Sequence, residues 1–150
     1  MYEKPSNPNH AHEIVRIISF LERRRRRFMN EGLRAYGLHG TMFMYIVTLD
    51  NFPGSSQDFL SEHLSIDKSN VARTAKRLEN EGFIVREVSS FDRRQYCMYL
   101  TDKGKEVLPL IRSLLNEWSV QASAGLSPES KALAVDVLAQ MLFNVTSENL

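Results

Sequence analysis

Along most of the chain apolar residues recur every three to four positions, the signature of helices that bury one face. Ile14, Ile17, Ile18, Leu21, Phe28 and Leu33 share a face of a helix running from Ala11 to about Tyr36, which Gly37 ends. From Leu38 to Asp50 the run HGTMFMYIVTL is apolar almost all round, which marks a central helix with Met42, Phe43, Tyr45 and Ile46 in the core. These four are also the kind of side chain that walls a cavity for a small aromatic ligand. A Phe52-Pro53-Gly54 turn leads to a short helix opening at Ser55, with Asp58 three residues on in an approximate capping box and Phe59, Leu60 and Leu64 facing inward. Asp67 caps the next helix and Gly82 ends it. Phe83 to Val88 and Gln95 to Thr101, rich in β-branched and aromatic residues, predict an antiparallel hairpin. Thr101 opens a long helix with Val107, Leu108, Ile111, Leu114, Leu115 and Trp118 inward and a kink at Pro109, and Gly125 ends it. Ser127-Pro128-Glu129 then starts a last helix bearing Leu133, Val137, Met141 and Leu142.

The helix from Asp67 to Gly82 carries the chemistry. Val71, Ala75 and Leu78 share its apolar face, while Ser69, Arg73, Lys76 and Asn80 point the other way. Cations mixed with small hydrogen-bonding side chains suit a major groove, where arginine pairs bidentately with guanine and asparagine with adenine. Lys68, Ser69, Asn70 and Arg73, in the N-terminal half, are the base-reading candidates; Lys76 and Arg77 are better placed for phosphates. Taken alone, the same pattern also fits an ordinary solvated amphipathic helix. The hairpin tip, with Asp92, Arg93 and Arg94, changes that balance, because adjacent arginines suit the negative potential of a minor groove and Asp92 can orient one of them. Ser56 and Gln57, with Ser55, stand at a helix N-terminus that can take a backbone phosphate. A helix for one groove and a basic hairpin for the next make a winged helix-turn-helix.

At this point the residues resemble a known family. Leu64-x-Ile66-Asp67-Lys68-Ser69-Asn70-Val71-x-Arg73, then Leu78-Glu79-x-x-Gly82-Phe83-Ile84-x-Arg86, then Asp92-Arg93-Arg94, then Leu100-Thr101-x-x-Gly104 is similar to the MarR family of bacterial transcriptional regulators. The likeness extends more loosely from about Ile14 to Leu142. It implies one domain over residues 1–150, mostly α with a small β-hairpin wing: a winged helix-turn-helix at 38–101 and dimerisation helices at 11–36 and 102–150. It further implies a homodimer that binds a near-palindromic operator in double-stranded DNA. Repression would be relieved by a small anionic or phenolic effector held between winged helix and bundle. In such proteins an arm like that from Met1 to His10 often lies across the partner subunit.

Composition sets the remaining bounds. With 150 residues and 43% of them apolar, one domain is the default, and a net charge of +1 does not by itself announce a nucleic-acid binder. Distribution says more: of 19 Lys and Arg, seven lie between Arg16 and Arg34 and seven between Asp67 and Arg94. The five consecutive arginines Arg23 to Arg27 cover every direction around a helix, so at least one points near the buried side, with its stem on apolar surface or its head toward a phosphate or an effector carboxylate. No apolar run approaches a membrane span and no signal-peptide core precedes the first helix, so the expected location is cytoplasmic. The single cysteine, Cys97, excludes an internal disulfide and reads as a packed or edge thiol, with oxidant sensing as the alternative. His10 and His12 make a weak metal pair, His63 reads as surface, and no cofactor is expected. No Gly-rich phosphate loop, HExxH, GxSxG or CxxC occurs, so the chain does not read as an enzyme. The rival reading is a winged-helix module that docks an acidic protein partner, and a metal- or redox-responsive regulator is a variant of the first.

Overall fold

The computed structural model describes residues 10–90 and 95–146. Helix α1 spans His10–Gly32 and a single 3-10 turn follows at Arg34–Tyr36. Then come α2 (Met42–Asn51), α3 (Gln57–Leu64), α4 (Lys68–Asn80), β1 (Ile84–Val88), β2 (Tyr96–Leu100), α5 (Asp102–Glu106), α6 (Leu108–Ala122) and α7 (Pro128–Thr146). No helix among the described residues is long and apolar enough to cross a membrane.

The start of α2 departs from the pattern. Apolarity predicts a helix from Leu38, yet the first helical residue is Met42. Leu38 is buried in the connection instead, and the Asn30 side chain takes the Gly40 N–H at 2.7 Å, tying that connection to α1. Burial makes both a core turn and a core helix apolar, so hydropathy alone cannot separate them. A smaller correction concerns α3: its cap is Ser56, whose Oγ accepts from Phe59 N–H at 3.1 Å. Ser55 forms a β-bridge with Met98. The third correction is at Pro109, where the expected kink is a full break: α5 ends at Glu106 and α6 restarts at Leu108. Proline thereby occupies the first turn of a new helix, where its missing N–H costs no helical bond.

The chain forms two compact units, residues 1–115 and 116–150. In the first, Met42, Phe43, Tyr45, Ile46 and Leu49 of α2 form the centre of the core, joined by Leu60, Val71, Ala75, Leu78, Phe83, Ile84, Met98, Val107 and Ile111. Strands β1 and β2 pair antiparallel from Ile84–Leu100 to Val88–Tyr96, and the Ser55–Met98 bridge adds a short third line of pairing. Two close fits join the hairpin to what flanks it. Gly82 adopts φ +78°, the left-handed turn that lets the chain leave α4 directly into β1. Thr101 Oγ1 donates to Gly82 O at 2.6 Å and accepts from Gly104 N–H at 3.1 Å. At Gly104 a Cβ would lie 2.3 Å from Phe83 O, so α5 reaches the hairpin only because that position has no side chain. The Thr-x-x-Gly spacing is thus a packing device.

The second unit holds the end of α6 and all of α7. Ser127 caps α7 by accepting from Ser130 N–H at 3.2 Å, with Pro128 first in the helix. No residue of α7 is buried, and Leu133, Val137 and Leu142 are 64%, 43% and 62% exposed.

Candidate nucleic-acid interface

Helix α4 buries Val71, Ala75 and Leu78 completely and turns its other side outward. Asp67 starts it in an extended conformation (φ −61°, ψ 148°), with Oδ1 accepting from Asn70 N–H at 2.9 Å. The Ser69 hydroxyl donates to the same oxygen at 2.6 Å. Asn70 Nδ2 donates to the other oxygen, and Arg73 Nη2 donates to Asn70 Oδ1. Hydrogen bonds from Ser69 first, then Asn70, hold the Asp67 carboxyl at about 2.

The remaining cations of this face have acidic partners. Lys68 Nζ lies 2.8 Å from Asp58 of α3, and that contact raises its pKa. Lys76 pairs with Glu79 at 3.0 Å and Arg77 with Glu81 at 2.7 Å. Among the described cations of the stripe, Arg73 is the one held only by a neutral acceptor, so its positive charge is the least compensated.

Glu79 joins α4 to the hairpin. Arg86 of β1 donates to its Oε2 at 2.6 Å, and Lys76 shares that oxygen. Arg86, then Lys76, hold the Glu79 carboxyl at about 2. The Arg86 guanidinium also lies 5.3 Å from the ring centre of Tyr96, while its buried Nε has no hydrogen-bond partner among the described residues. A cation fixed by a carboxylate on one side and an aromatic face on the other sets how the hairpin stands against α4. Neither Glu79 nor Arg86 was among the site residues expected from sequence. The available signal was a pair of opposite charges flanking the Gly82 turn, seven positions apart.

Ser56 and Gln57 lie at the start of α3, as expected. With Asp58, Gln95 and Tyr96 they line a cavity of about 160 Å³ beside β2. The Ser56 cap uses the Phe59 amide, leaving the first helical amides without an intrahelical acceptor. Asp58 introduces a negative charge there, and Lys68 offsets it. The wing-tip residues Asp92, Arg93 and Arg94 lie outside the described residues. Ser56, Gln57, Lys68, Ser69, Asn70, Arg73, Lys76 and Arg77 all lie on α3, its cap and α4.

Other candidates resolve more simply. Arg25 is the arginine of the run that turns inward, half-buried over the Phe43 ring at 5.8 Å and paired with Glu22 at 2.7 Å. Arg23 and Arg24 lie against Phe20, and Arg27 pairs with Glu31. His63 stacks on Phe59 with ring centres 5.2 Å apart. Cys97 is half-buried in β2. No group of three or more His, Cys, Asp or Glu among the described residues is placed to hold a metal. Met42, Phe43, Tyr45 and Ile46, candidates for a ligand wall, are buried core residues.

The comparisons with known proteins agree with this geometry. The model of the MarR family matches residues 39–96. A solved structure of the transcriptional regulator SlyA is 30% identical, covers 90% of this chain and 95% of that one, and gives a TM-score of 0.86. The transcriptional repressor MprA of Escherichia coli (strain K12) is 37% identical over 97 residues, 60% of this chain and 55% of its own length. A mutant MarR from E. coli, solved in complex with operator DNA, shares the fold at 20% identity, with a TM-score of 0.80 over 91% of this chain and 99% of that one. The chain belongs to the MarR family of transcriptional regulators.

Proposed function

We propose that this protein is a homodimeric repressor that reads a near-palindromic operator in double-stranded DNA. The observation that carries the reading is Arg73, exposed in the N-terminal half of α4 with no acidic partner among the described residues, while its neighbouring cations are paired. In a groove lined by phosphates and base edges, such a guanidinium gains most and gives up least. Lys68, Ser69 and Asn70 stand beside it as the further candidates for base contact. Lys76, Arg77 and the α3 start at Ser56 and Gln57 serve the backbone, since exposed ion pairs are weak enough to be exchanged for phosphates. Arg93 and Arg94, oriented by Asp92, take the adjacent minor groove.

The division of labour assigns residues 38–101 to DNA and residues 11–36 and 102–150 to the subunit contact. It is supported by the apolar side chains that α1 and α7 leave exposed, among them Val15, Ile18, Leu21, Leu133, Val137 and Leu142. A two-fold dimer then requires half-sites roughly 10 base pairs apart, centre to centre. Repression is supported by the name of the relative MprA. Release by a small anionic or phenolic effector is supported by the family resemblance, and it requires the effector to bind the released form more tightly than the DNA-competent one.

Selection of bound duplexes from a random pool, followed by titration of the recovered sequence against salt, tests the reading. One palindrome and a steep loss of affinity with salt are expected. Arg73→Ala should cost about 1–3 kcal/mol and relax one base position in each half-site. Equal loss on scrambled DNA would reassign Arg73 to phosphate, and selection of no motif would sink sequence-specific binding. A panel of small carboxylates and phenols added to the complex tests release.

A further inference from the structure

The side chains at the start of α4 are connected in a fixed chemical order. Asp67, Asn70 and Arg73 are three residues apart, so they stand above one another along one edge of the helix. An ionised carboxylate only accepts hydrogen bonds and a guanidinium only donates them, so an amide between the two has one sensible orientation: NH2 toward Asp67, carbonyl toward Arg73. The observed contacts run this way, with Asn70 Nδ2 on Asp67 Oδ2 and Arg73 Nη2 on Asn70 Oδ1. The cap reinforces the order, because Asp67 Oδ1 is already engaged by Asn70 N–H and the Ser69 hydroxyl. Asn70 is therefore gripped by its backbone and its side chain together.

We propose that Asp67 and Asn70 are positioning residues that aim Arg73 at a base, and that Asn70 does not itself read adenine. Bidentate recognition of adenine needs both ends of the asparagine amide. Each end already makes one contact here, so turning the amide toward a base edge would release the guanidinium and break a contact to the helix cap. Arg73 spends one N–H on Asn70 and keeps the rest of its donor fork for guanine O6 and N7. Holding a long side chain along the helix before DNA arrives also removes part of the rotamer entropy lost on binding. The assignment rests on the DNA-binding reading above, and it moves one of that reading's four base-contact candidates, Asn70, to a supporting role beside Asp67.

The test uses the full chain as wild type, Asp67→Ser, Asn70→Ala, Arg73→Ala and the double variant Asn70→Ala/Arg73→Ala, each passed through duplex selection from a random pool. Serine caps helices as aspartate does but lacks the second oxygen that holds Asn70, so Asp67→Ser should keep the helix cap and the far-UV spectrum of the wild type at the assay temperature. In Asp67→Ser and Asn70→Ala, discrimination should fall about tenfold at one guanine position, the same one that Arg73→Ala abolishes. The double variant should be no worse there than Arg73→Ala alone. Loss of an adenine position in Asn70→Ala, separate from the Arg73 position, would overturn the assignment, as would unchanged base preferences in Asp67→Ser. If the wild type selects no motif, the DNA reading fails. The connection is then judged on the free protein, where Asp67→Ser must shift the Arg73 guanidinium N–H resonance and an unmoved resonance rejects it.

Discussion

Helices α4 and α7 follow the same 3.6-residue period and use it in opposite ways. In α4, Val71, Ala75 and Leu78 are fully buried, so its apolar face is consumed by the fold and only its polar side is offered outward. In α7 no residue is buried, and Leu133, Val137 and Leu142 remain exposed. An apolar stripe thus says that something will cover it, not whether the cover is the same chain. The polar side of α4 is a network of hydrogen bonds and ion pairs, whereas α7 carries an apolar surface whose full burial would contribute about 1.5–3 kcal/mol per large side chain.

The largest effect that sharpens this contrast is Phe83→Ala, beside α4 in the fully buried core. It should cost about 3–5 kcal/mol in chemical denaturation, whereas Leu133→Ala should stay within about 0.5 kcal/mol for dilute protein. Comparable losses at every protein concentration would break the distinction. Next, for the proposed dimer, Leu142→Arg should weaken subunit association about ten- to a hundredfold in sedimentation while leaving the far-UV spectrum unchanged, the energy being that of one buried leucine. An unaltered association constant would remove α7 from the subunit contact.

Acid acts on the carboxylates that cap α4 and tie it to the hairpin. Asp67 and Glu79 both sit near 2 when folded, well below an ordinary carboxyl near ~4, so their stabilisation is in full force above that ordinary value. It drains away as pH falls through roughly 4 to 2, the window those depressed values define. Glu79→Gln should flatten the loss of stability across that window, measured by urea unfolding at stepped pH. An equally steep loss in the variant would show that Arg86 does not depend on Glu79. The smallest effect concerns Tyr45, whose buried Oη has no hydrogen-bond partner and whose pKa burial pushes up. The Thr74 hydroxyl opposes that shift but does not meet hydrogen-bond geometry. Tyr45→Phe should therefore be neutral or stabilising, within about 1 kcal/mol. A clear destabilisation would reveal a working Tyr45–Thr74 bond.

Local signals were legible wherever the physics is local. The Asp67 cap, the left-handed Gly82 and the Ser127-Pro128 start all depend on residues within one turn of each other, and all stand where expected. Four boundaries were not legible, the first being the end of α1, which stops at Gly32 and gives way to a 3-10 turn before Gly37. Leu38 looks helical because it is buried, Ser55 resembles a cap although its place is a β-bridge to Met98, and Pro109 marks a new start where a kink was expected. Each is settled by a partner far along the chain or by a choice between two conformations that hydropathy scores alike. Among the candidate site residues, position on α4 and α3 followed from sequence, but the pairing of Lys68 with Asp58 did not, since it depends on how those helices meet.

What this sequence determined alone is therefore the order of helices and hairpin, the two faces of α4 and the family, because periodicity, caps and motif spacing are properties of neighbouring residues. What tertiary structure decided is which charges meet across elements. Four cations of similar kind lie on α4: Lys76 and Arg77 pair with Glu79 and Glu81 one turn along the chain and Arg73 is held by the Asn70 amide, but only the packing of α3 brings Asp58 to Lys68, and only the hairpin brings Arg86 to Glu79. Electrostatic character depends on distances between elements, and a linear chain does not contain those distances.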